Sequence, residues 1–454
     1  MSATPSPLFI ALADSLERQI RDGVYRSGDK LPSLREIAAT RSYGKNTVVS
    51  AFELLVARGL VEPRRGSGFF VKEAVPEACN EDAQGHSLRR TMDIVWLLRM
   101  QLRNEPGQLA VGDAFPPSQW LEGARLDRTH HKVARGGLGT LFRYGDRLGY
   151  APLRHRLVRR LADMGIDAHP QQIVLTHGAN EAMDLIVRYF VPAGGVVLID
   201  DPGYYPLRGK LRLAGARVVG VPRLVDGPDL QALEQALKTL RPRLFFTQSL
   251  AHNPTGSDLS LAKARAVLRL AEQHNLLLVE NDALGDFRPA AAPRLSALDG
   301  LERTLYLGSF SKSLSAALRV GFVACSPDLA QELADLKVLT GVSSSEYAER
   351  AVETLLAERR YPRHLEQLRG KLAEATHGAY ALLDRMGAEV FVRPSHSLFI
   401  WARWPDFADA QALAQAMLGE GIVMAPGNIF SVDSQRVSPW SRCNPQAVQD
   451  PRFA

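Results

Sequence analysis

Cysteine is scarce in this sequence. Only Cys79, Cys325 and Cys443 occur among 454 residues, and no Cys-x-x-Cys pair is present, which excludes a disulfide-stapled scaffold and a cysteine-based metal site. Long apolar runs are also missing, and the N-terminus has no basic segment followed by an apolar stretch. Nothing therefore indicates a membrane span or a secretory signal. The sequence predicts a cytoplasmic globular protein with reduced thiols, no metal site and no contact with a membrane.

Charge of one sign is not in large excess either. The formal net charge is +6, which is small for this length, so composition alone barely favours nucleic acid as a partner. Residues 1 to 72, however, hold eleven Lys or Arg against seven Asp or Glu, a net charge of +4 in under a sixth of the chain. Most of the basic excess therefore lies in the N-terminal segment.

The N-terminal segment has the pattern of a small helical domain with two strands. Apolar residues at helical spacing predict a first helix over residues 8 to 22. Ser33 and Glu36 stand three residues apart, the spacing of a capping box, at the start of a short helix. A longer helix follows over residues 44 to 60, and residues 61 to 73 read as strand, basic turn and strand. This order is typical of a winged helix-turn-helix.

Residues 31 to 71 resemble the winged helix-turn-helix of GntR-type transcription regulators. The resemblance rests on the run LPSLREIAAT, YGKNTVVSAFELL and GLVEPRRGSGFFV. It implies that the domain binds operator DNA through the second helix, the start of the recognition helix and the wing. The residues implied are Arg35, Lys45, Asn46, Thr47, Arg64, Arg65 and Gly66. Position 49, where many relatives carry a second arginine, is Val49, so base readout is only partly defined.

The rest of the chain has a different organisation. Residues 74 to 90 lose periodicity and gather Pro, Gly and mixed charge, which predicts a linker between a first domain, 1 to 73, and a second, 91 to 454. In the second domain, helical patterns alternate with short β-rich runs, which favours an α/β body around a mostly parallel buried sheet. From about residue 345 the pattern indicates a smaller α/β subdomain. The predicted fold is thus multidomain.

Lys312 lies in the stretch GSFSKSLSAALRVG, directly after a predicted strand. The carboxyl ends of strands in α/β sheets are where ligands bind. Ser309 and Ser311 offer hydroxyls and Arg319 offers a fixed cation, a combination that suits a phosphate group. An amine beside a phosphate site is what the Schiff base of pyridoxal 5'-phosphate (PLP) requires.

Other segments offer the remaining parts of a PLP site. Gly178, Ala179 and Asn180 stand at a predicted strand-to-helix turn, where backbone N–H groups could bind phosphate. The ring of Tyr204 could stack on a pyridine ring. The amide of Asn253 could hydrogen-bond a phenolic oxygen. Each signal is weak alone, but all of them in this order are hard to explain otherwise.

Residues 91 to 450 resemble the fold-type I aminotransferases. The matching motifs are YGDRLGYAPLR, THGANEAM, DPGYYP, HNPTG, SFSKSL with LRVG, and a late SRCN. The resemblance implies that Lys312 forms the Schiff base with PLP and that Arg319 anchors its phosphate. It also implies that Tyr144 reaches the phosphate of a partner subunit in a head-to-tail homodimer, and that Arg442 holds a carboxylate of an amino-compound effector. A GntR-type DNA-binding domain joined to an aminotransferase-like domain resembles the MocR-type regulators.

One segment departs from the aminotransferase pattern. In LLLVENDALGDF, the carboxylate that pairs with the pyridine nitrogen falls on Asn281, and the tyrosine that bonds the phenolic oxygen falls on Leu284. If the alignment slips by one residue, Asp282 becomes the partner instead. Neighbouring residues of a strand face opposite sides, so only one of the two can face the ring. A neutral amide supports the electron sink of transamination poorly.

Three functions are compatible with these residues. The favoured one is a PLP-dependent transcription regulator that senses PLP or an amino compound. The alternative is a working aminotransferase with an appended DNA-binding domain, against which Asn281 and Leu284 argue. A third is a regulator whose body binds no cofactor and only dimerises, against which Lys312, Arg319 and Asn253 argue.

Overall fold

A computed structural model describes residues 8–21, 25, 28–40, 43–57, 60–64, 67–71, 107–135, 142–358 and 360–453. The chain forms two compact units, Met1–Gly85 and His86–Ala454. The division falls within the predicted linker, residues 74 to 90, which lies outside the described residues. The domain boundaries drawn from the sequence therefore stay predictions.

The N-terminal unit is three helices and a two-stranded wing. The helices are α1 Leu8–Arg21, α2 Leu34–Thr40 and α3 Lys45–Ala57, and the strands are β1 Val61–Arg64 and β2 Gly68–Val71. The strands pair antiparallel, with Val61 opposite Val71. Apolar side chains from all three helices and both strands, Leu12, Ile37 and Phe52 among them, are buried together in one core. The amphipathic periodicity of the helices thus places their apolar faces in this core.

The capping box predicted at the start of α2 is present. The backbone N–H of Glu36 donates to Ser33 Oγ at 3.2 Å, and the backbone N–H of Ser33 donates to Glu36 Oε2 at 2.7 Å. These bonds satisfy amide groups that a helix N-terminus leaves without partners. They fix where α2 begins, and with it the position of Arg35.

The second unit is built on an eight-stranded sheet in the order β3-β10-β9-β8-β7-β4-β5-β6. Its strands are β3 Ile173–Thr176, β4 Val196–Asp201, β5 Arg217–Leu224, β6 Gly227–Pro228, β7 Leu244–Thr247, β8 Leu277–Asn281, β9 Thr304–Ser309 and β10 Gly321–Ala324. Strands β5, β4, β7, β8 and β9 run parallel, whereas β10 is antiparallel to both of its neighbours. The expectation of a mostly parallel buried sheet is confirmed.

Helices cover both faces of this sheet. The helices of this part of the chain are α4 Ser118–Leu121, α5 Leu126–Arg135, α6 Ala151–Asp163, α7 Gly178–Phe190, α8 Tyr205–Leu213, α9 Leu230–Leu240, α10 Leu261–Gln273, α11 Leu295–Asp299, α12 Pro327–Gly341 and α13 Glu346–Ala357. One face packs on α7, α8 and α12, and the other on α9, α10 and α11. Burial on both faces explains why the parallel strands read as continuous apolar runs.

A smaller subdomain follows, as the sequence predicted. Helix α14 Arg360–Arg385 leads into β11 Glu389–Val390 and β12 Ile400–Arg403, then α15 Ala410–Gly419, β13 Ala425–Pro426, β14 Trp440–Cys443 and α16 Pro445–Val448. The four strands form an antiparallel sheet in the order β11-β12-β14-β13. The predicted multidomain fold, a winged helix-turn-helix plus a fold-type I aminotransferase-like body with a smaller α/β subdomain, is confirmed.

Two sequence expectations can be followed further in the described residues. Cys325 and Cys443 are buried free thiols, while Cys79 lies outside that part of the chain. Across the described ranges, no helix combines the length and the apolar character that crossing a membrane requires.

Candidate functional site

Lys312 lies in the connection between β9 and β10, at the carboxyl edge of the sheet. Its Nζ is 2.9 Å from the centroid of the Phe115 ring. The side chain is partly buried, and this burial lowers the pKa of Lys312 to about 7. The charges of Arg442 and Arg319 lower the pKa as well, whereas Asp113 opposes them. Much of the amine is therefore neutral near pH 7, the form that attacks an aldehyde.

Arg319 connects the Lys312 segment to the start of α7. Its Nη2 donates to the carbonyl oxygen of His177 at 2.9 Å, and its Nη1 donates to Ser311 Oγ at 3.3 Å. The backbone N–H of Ser311 in turn donates to Ser309 Oγ at 3.3 Å. The structure therefore brings the two serines and the arginine of the predicted phosphate site together.

The N-terminus of α7 completes that cluster. Gly178 has φ +73, and a Cβ at this position would lie 2.8 Å from Arg319 Nη2. Only glycine allows this backbone conformation and this approach at low cost. Gly178 and Ala179 are the first two residues of α7, where N–H groups lack helical partners and favour an anion. Asn180 follows them, and its Oδ1 accepts a hydrogen bond from the Tyr204 hydroxyl at 3.5 Å.

Asn281, the last residue of β8, and Asp282, which follows it, lie on opposite faces of the sheet. Asn281 lines a small cavity together with Tyr204. Asp282 is buried on the other face, where its Oδ2 accepts from Arg294 Nε at 2.7 Å and from the Tyr306 hydroxyl at 2.8 Å. The structure thus groups Asn281 with the predicted ring-binding residues and places Asp282 in an ion pair away from them.

Leu284 contributes no polar group to the site. It is 5% exposed and belongs to an apolar cluster with Phe287, Leu372 and Phe399. The position for which the aminotransferase resemblance implies a tyrosine is therefore occupied by a packed apolar side chain.

Arg442 and Asn253 form one hydrogen-bonded pair. Arg442, on β14, is 1% exposed, and its Nη1 donates to Asn253 Oδ1 at 2.9 Å while its Nη2 donates to the carbonyl oxygen of Gly112 at 2.8 Å. The guanidinium lies 4.9 Å from the centroid of the Phe430 ring. Burial lowers the pKa of Arg442, but a guanidinium remains charged at neutral pH. An anion that displaces one of these contacts would meet a desolvated cation.

Asp113 and Phe115 belong to this site and were missed in the sequence. Both come from the segment GDAFPP, which shows no periodicity, and they reach Lys312 only through tertiary folding. Burial raises the pKa of Asp113, while Lys312 and Arg442 lower it. In the sequence, Asp113 is marked only by its position between a glycine and an apolar turn, and that pattern is too common to indicate a binding site.

Tyr144 does not join the other predicted residues within this chain. Its side chain is 82% exposed, beside Phe142 at 85%. A surface position is compatible with a role toward a second subunit, and that role stays a prediction.

The predicted DNA-binding residues lie on one small unit. Arg35 is exposed on α2, and Lys45 and Asn46 are exposed in the first turn of α3. Thr47, next to them, is partly buried. In the wing, Arg64 Nε donates to Glu62 at 2.9 Å, and its guanidinium lies 4.6 Å from the centroid of the Phe70 ring. Arg65 and Gly66 lie outside the described residues.

Comparisons with known proteins cover both units. Residues 112–451 match the family described as aminotransferase class I and II, and residues 11–71 match bacterial regulatory proteins, gntR family. The chain is 30% identical over 441 residues to the HTH-type transcriptional regulator YdcR of Escherichia coli K12, which covers 95% of this chain and 92% of that protein. It is 27% identical over 437 residues to the probable rhizopine catabolism regulatory protein MocR of Rhizobium meliloti, covering 92% of this chain and 86% of that protein.

Solved structures match the second unit. The α-aminoadipate aminotransferase LysN of Thermus thermophilus, complexed with N-(5'-phosphopyridoxyl)-L-leucine, superposes with a TM-score of 0.72 at 27% identity. The match covers 79% of this chain and 92% of LysN. Since both modules are matched and regulators align over nearly the full length, the chain belongs to the MocR-type transcription regulators, in which a GntR-type DNA-binding domain is joined to an aminotransferase class I and II domain.

Proposed function

We propose that this protein is a PLP-dependent transcription regulator that binds operator DNA as a homodimer and senses PLP or an amino compound. The observation that carries the proposal is Lys312, whose amine has a pKa lowered to about 7 by burial and by the charges of Arg442 and Arg319. Such an amine can hold an aldehyde, and the flanking cations suit a phosphate and a carboxylate. A cytoplasmic location is part of the proposal.

The residues of the site fit PLP on grounds of their own. Gly178 leaves the space through which Arg319 reaches the N-terminus of α7, an arrangement that suits a phosphate dianion. Asn253 presents an amide beside Arg442, and Tyr204 presents a partly buried ring. When bound, PLP supplies an aldehyde for the lysine and an electron-withdrawing ring.

The side chains favour holding a ligand over turning it over. Asn281 gives the ring nitrogen a neutral amide instead of a carboxylate, and Leu284 replaces a hydroxyl by packed hydrocarbon. Both changes remove groups that would stabilise negative charge on the ring during proton transfer at the substrate carbon. Covalent exchange at Lys312 depends less on that stabilisation, so an amino compound could replace the lysine and stay bound.

A head-to-tail homodimer is supported by the exposed apolar side chains. Phe142, Tyr144 and Leu339 are each more than 80% exposed, an unusual cost for large apolar groups on a monomer. Burial against a second copy would cover them and bring Tyr144 toward the phosphate site of that copy. Sedimentation of the purified protein tests this: a monomer at micromolar concentration would contradict it.

A working aminotransferase is the second candidate, because the chain is similar to the Thermus thermophilus α-aminoadipate aminotransferase over most of its second unit. The two candidates differ in what an amino acid does to PLP-loaded protein. A regulator should show a spectral change without release of a keto acid, whereas an enzyme should release one keto acid per subunit in a single turnover.

The deciding experiment joins cofactor and DNA measurements on the full chain. Borohydride reduction followed by peptide mass analysis should find a pyridoxyl group on Lys312 in the wild type and none in Lys312→Ala. Selection from a random-sequence pool of DNA duplexes with the wild-type protein should yield sequences that it binds specifically. Arg35→Ala should bind them at least about tenfold more weakly, in line with about 1–3 kcal/mol for a base contact.

Two controls limit the interpretation of that experiment. Arg35→Ala should retain PLP on Lys312. Arg265→Ala, an exposed arginine on α10 of the other unit, should keep wild-type DNA affinity. Unlabelled wild-type protein after incubation with PLP would overturn the cofactor proposal, and unchanged DNA affinity in Arg35→Ala would overturn the assigned contact.

A further inference from the structure

The residue that follows Lys312 is held by two other segments of the chain. Ser313 is 1% exposed. Its hydroxyl donates to Asp286 Oδ2, and its backbone carbonyl oxygen accepts from His364 Nε2 at 2.7 Å. Asp286 lies in the short helical turn that follows β8, whereas His364 lies near the start of α14. The turn that carries Lys312 is therefore attached to two elements that are distant from it in the sequence.

Asp286 is the centre of this attachment. It is 9% exposed, and its Oδ2 also accepts from the Tyr361 hydroxyl at 2.8 Å. Its Oδ1 pairs with Arg160 of α6, whose guanidinium lies 5.4 Å from the centroid of the Tyr361 ring. Its backbone carbonyl oxygen accepts from Arg369 Nε at 2.7 Å. A buried carboxylate is stable when it is paired with a cation and hydrogen-bonded, and both conditions are met here.

Lys312 thus has an anchor on each side. Before it in the chain, Ser311 Oγ accepts from Arg319 Nη1 at 3.3 Å, and after it Ser313 donates to Asp286. The first anchor belongs to the predicted phosphate site, whereas the second connects the turn to α14. A functional side chain keeps its position when the groups beneath it are fixed by packing and by hydrogen bonds of their own. The second anchor meets that description.

We propose that Asp286 is a positioning residue for Lys312, and that through Ser313 it holds the turn that carries the lysine against the start of α14. The inference rests on the proposed function, because it takes Lys312 as the residue that binds PLP. It also gives the site a connection to the small subdomain. Further along α14, the carbonyl oxygen of Ala375 accepts from Gln449 Nε2 at 2.9 Å. A shift of the Lys312 turn would therefore act on the helix that leads into that subdomain.

The pKa of Lys312 separates positioning from a direct effect of charge. Burial is the main cause of its low value, Arg442 and Arg319 act in the same direction, and Asp113 acts against them. If Asp286 only added negative charge near the amine, Asp286→Asn would lower the pKa of Lys312 further. If Asp286 holds the turn in place, the variant should admit water to the amine and raise the pKa toward its ordinary value of 10.5. The two explanations therefore predict shifts of opposite sign.

The test follows the acetylation of Lys312 against pH in the full chain without PLP. Trace acetic anhydride is added between about pH 5.5 and about pH 10, and the Lys312 peptide is quantified by mass relative to N-acetyl-lysine in the same sample. Only the neutral amine reacts, so the wild type should show a break near pH 7. Asp286→Asn should move the break to higher pH by at least about one unit. Ser313→Ala should move it in the same direction.

Two controls match these variants. Ser315→Ala removes a hydroxyl from the same turn and is the control for Ser313→Ala. Asp258→Asn removes another paired carboxylate, whose Oδ2 lies 2.8 Å from Arg288 Nε, and is the control for Asp286→Asn. Both controls should keep the break of the wild type, because neither residue contributes to the attachment of the turn to α14.

The outcomes distinguish the inference from the proposed function. A break in Asp286→Asn that is unchanged or moves to lower pH would overturn the inference. If that variant does not fold, an unchanged break in Ser313→Ala would overturn it instead. Borohydride reduction of PLP-treated protein is measured separately, and wild-type protein without a pyridoxyl group on Lys312 would overturn the proposed function. The shift of the break on acetylation would still decide whether Asp286 positions the amine.

Discussion

The amine of Lys312 should capture PLP with a pH dependence set by an unusual pKa. Burial lowers that pKa to about 7, with Arg442 and Arg319 acting in the same direction and Asp113 against them. Only the neutral amine attacks the aldehyde. In protein stripped of PLP, the capture rate should therefore rise about tenfold per pH unit below pH 7 and level off above it, where deprotonation is complete.

The size of the effect follows from the two pKa values. At pH 7 a lysine with a pKa of about 7 is about half neutral, whereas one with the ordinary value of 10.5 is neutral in about one molecule in 3,000. The reactive fraction differs by about a thousandfold, which is far above the error of a rate measurement. Stopped-flow absorbance after mixing with PLP, between about pH 5.5 and about pH 9.5, covers both limbs of the curve.

Two controls belong to this measurement. The same series with N-acetyl-lysine corrects for the ionisation of PLP itself. Asp113→Asn removes the carboxylate that stabilises the ammonium form of Lys312, so the break should move to lower pH. A rate that climbs tenfold per pH unit to the top of the range would show an ordinary solvated lysine and refute the reasoning.

Three further outcomes are expected. Ser33→Ala removes the cap of α2 and should destabilise the N-terminal unit by about 1 kcal/mol, seen as faster hydrogen exchange of α2 amides; unchanged exchange would contradict it. Gly178→Ala places a Cβ 2.8 Å from Arg319 Nη2 on a residue with φ +73, so the affinity for PLP should fall in an equilibrium titration. A Kd equal to that of the wild type would contradict this expectation. Asp282→Asn leaves Arg294 buried without a charged partner and should cost about 3 kcal/mol in urea unfolding, whereas a loss below about 1 kcal/mol would show that the pair is dispensable.

The helical N-terminal unit could be predicted because its signals are local. The capping box of Ser33 and Glu36 and the apolar periodicity of α1 and α3 act within a few residues of the chain. The proximity of the residues of the predicted phosphate site could be predicted for a related reason. Parallel strands end at one edge of a sheet, so residues that follow different strands meet there. That rule brought Gly178 and Arg319 together although 141 positions separate them.

Other parts of the site depend on distant contacts that no local pattern encodes. Asp113 and Phe115 come from an irregular segment almost 200 positions before Lys312. The choice between Asn281 and Asp282 could not be made from alternation, because both residues are buried and either face of β8 is covered. The register of β8 against β9, which aligns Glu280 with Tyr306, sets the face of Asp282 and leaves Asn281 toward the cavity.

The position of Arg442 suggests how a ligand could influence DNA binding. Arg442 lies on β14 of the small subdomain, whereas Asn253 and Lys312 lie in the connections that follow β7 and β9 of the large sheet. The hydrogen bond from Arg442 to Asn253 therefore joins the two parts. A ligand held by Lys312 through its amino carbon and by Arg442 through an anionic group would replace this hydrogen bond with a link through its own skeleton. A ligand changes a conformational equilibrium only by binding one state more tightly than the other. Such a ligand favours the state in which Arg442 lies closer to Lys312. If that state also differs in its affinity for operator DNA, the two binding events are linked. DNA must then change the affinity for the ligand by the same factor as the ligand changes the affinity for DNA.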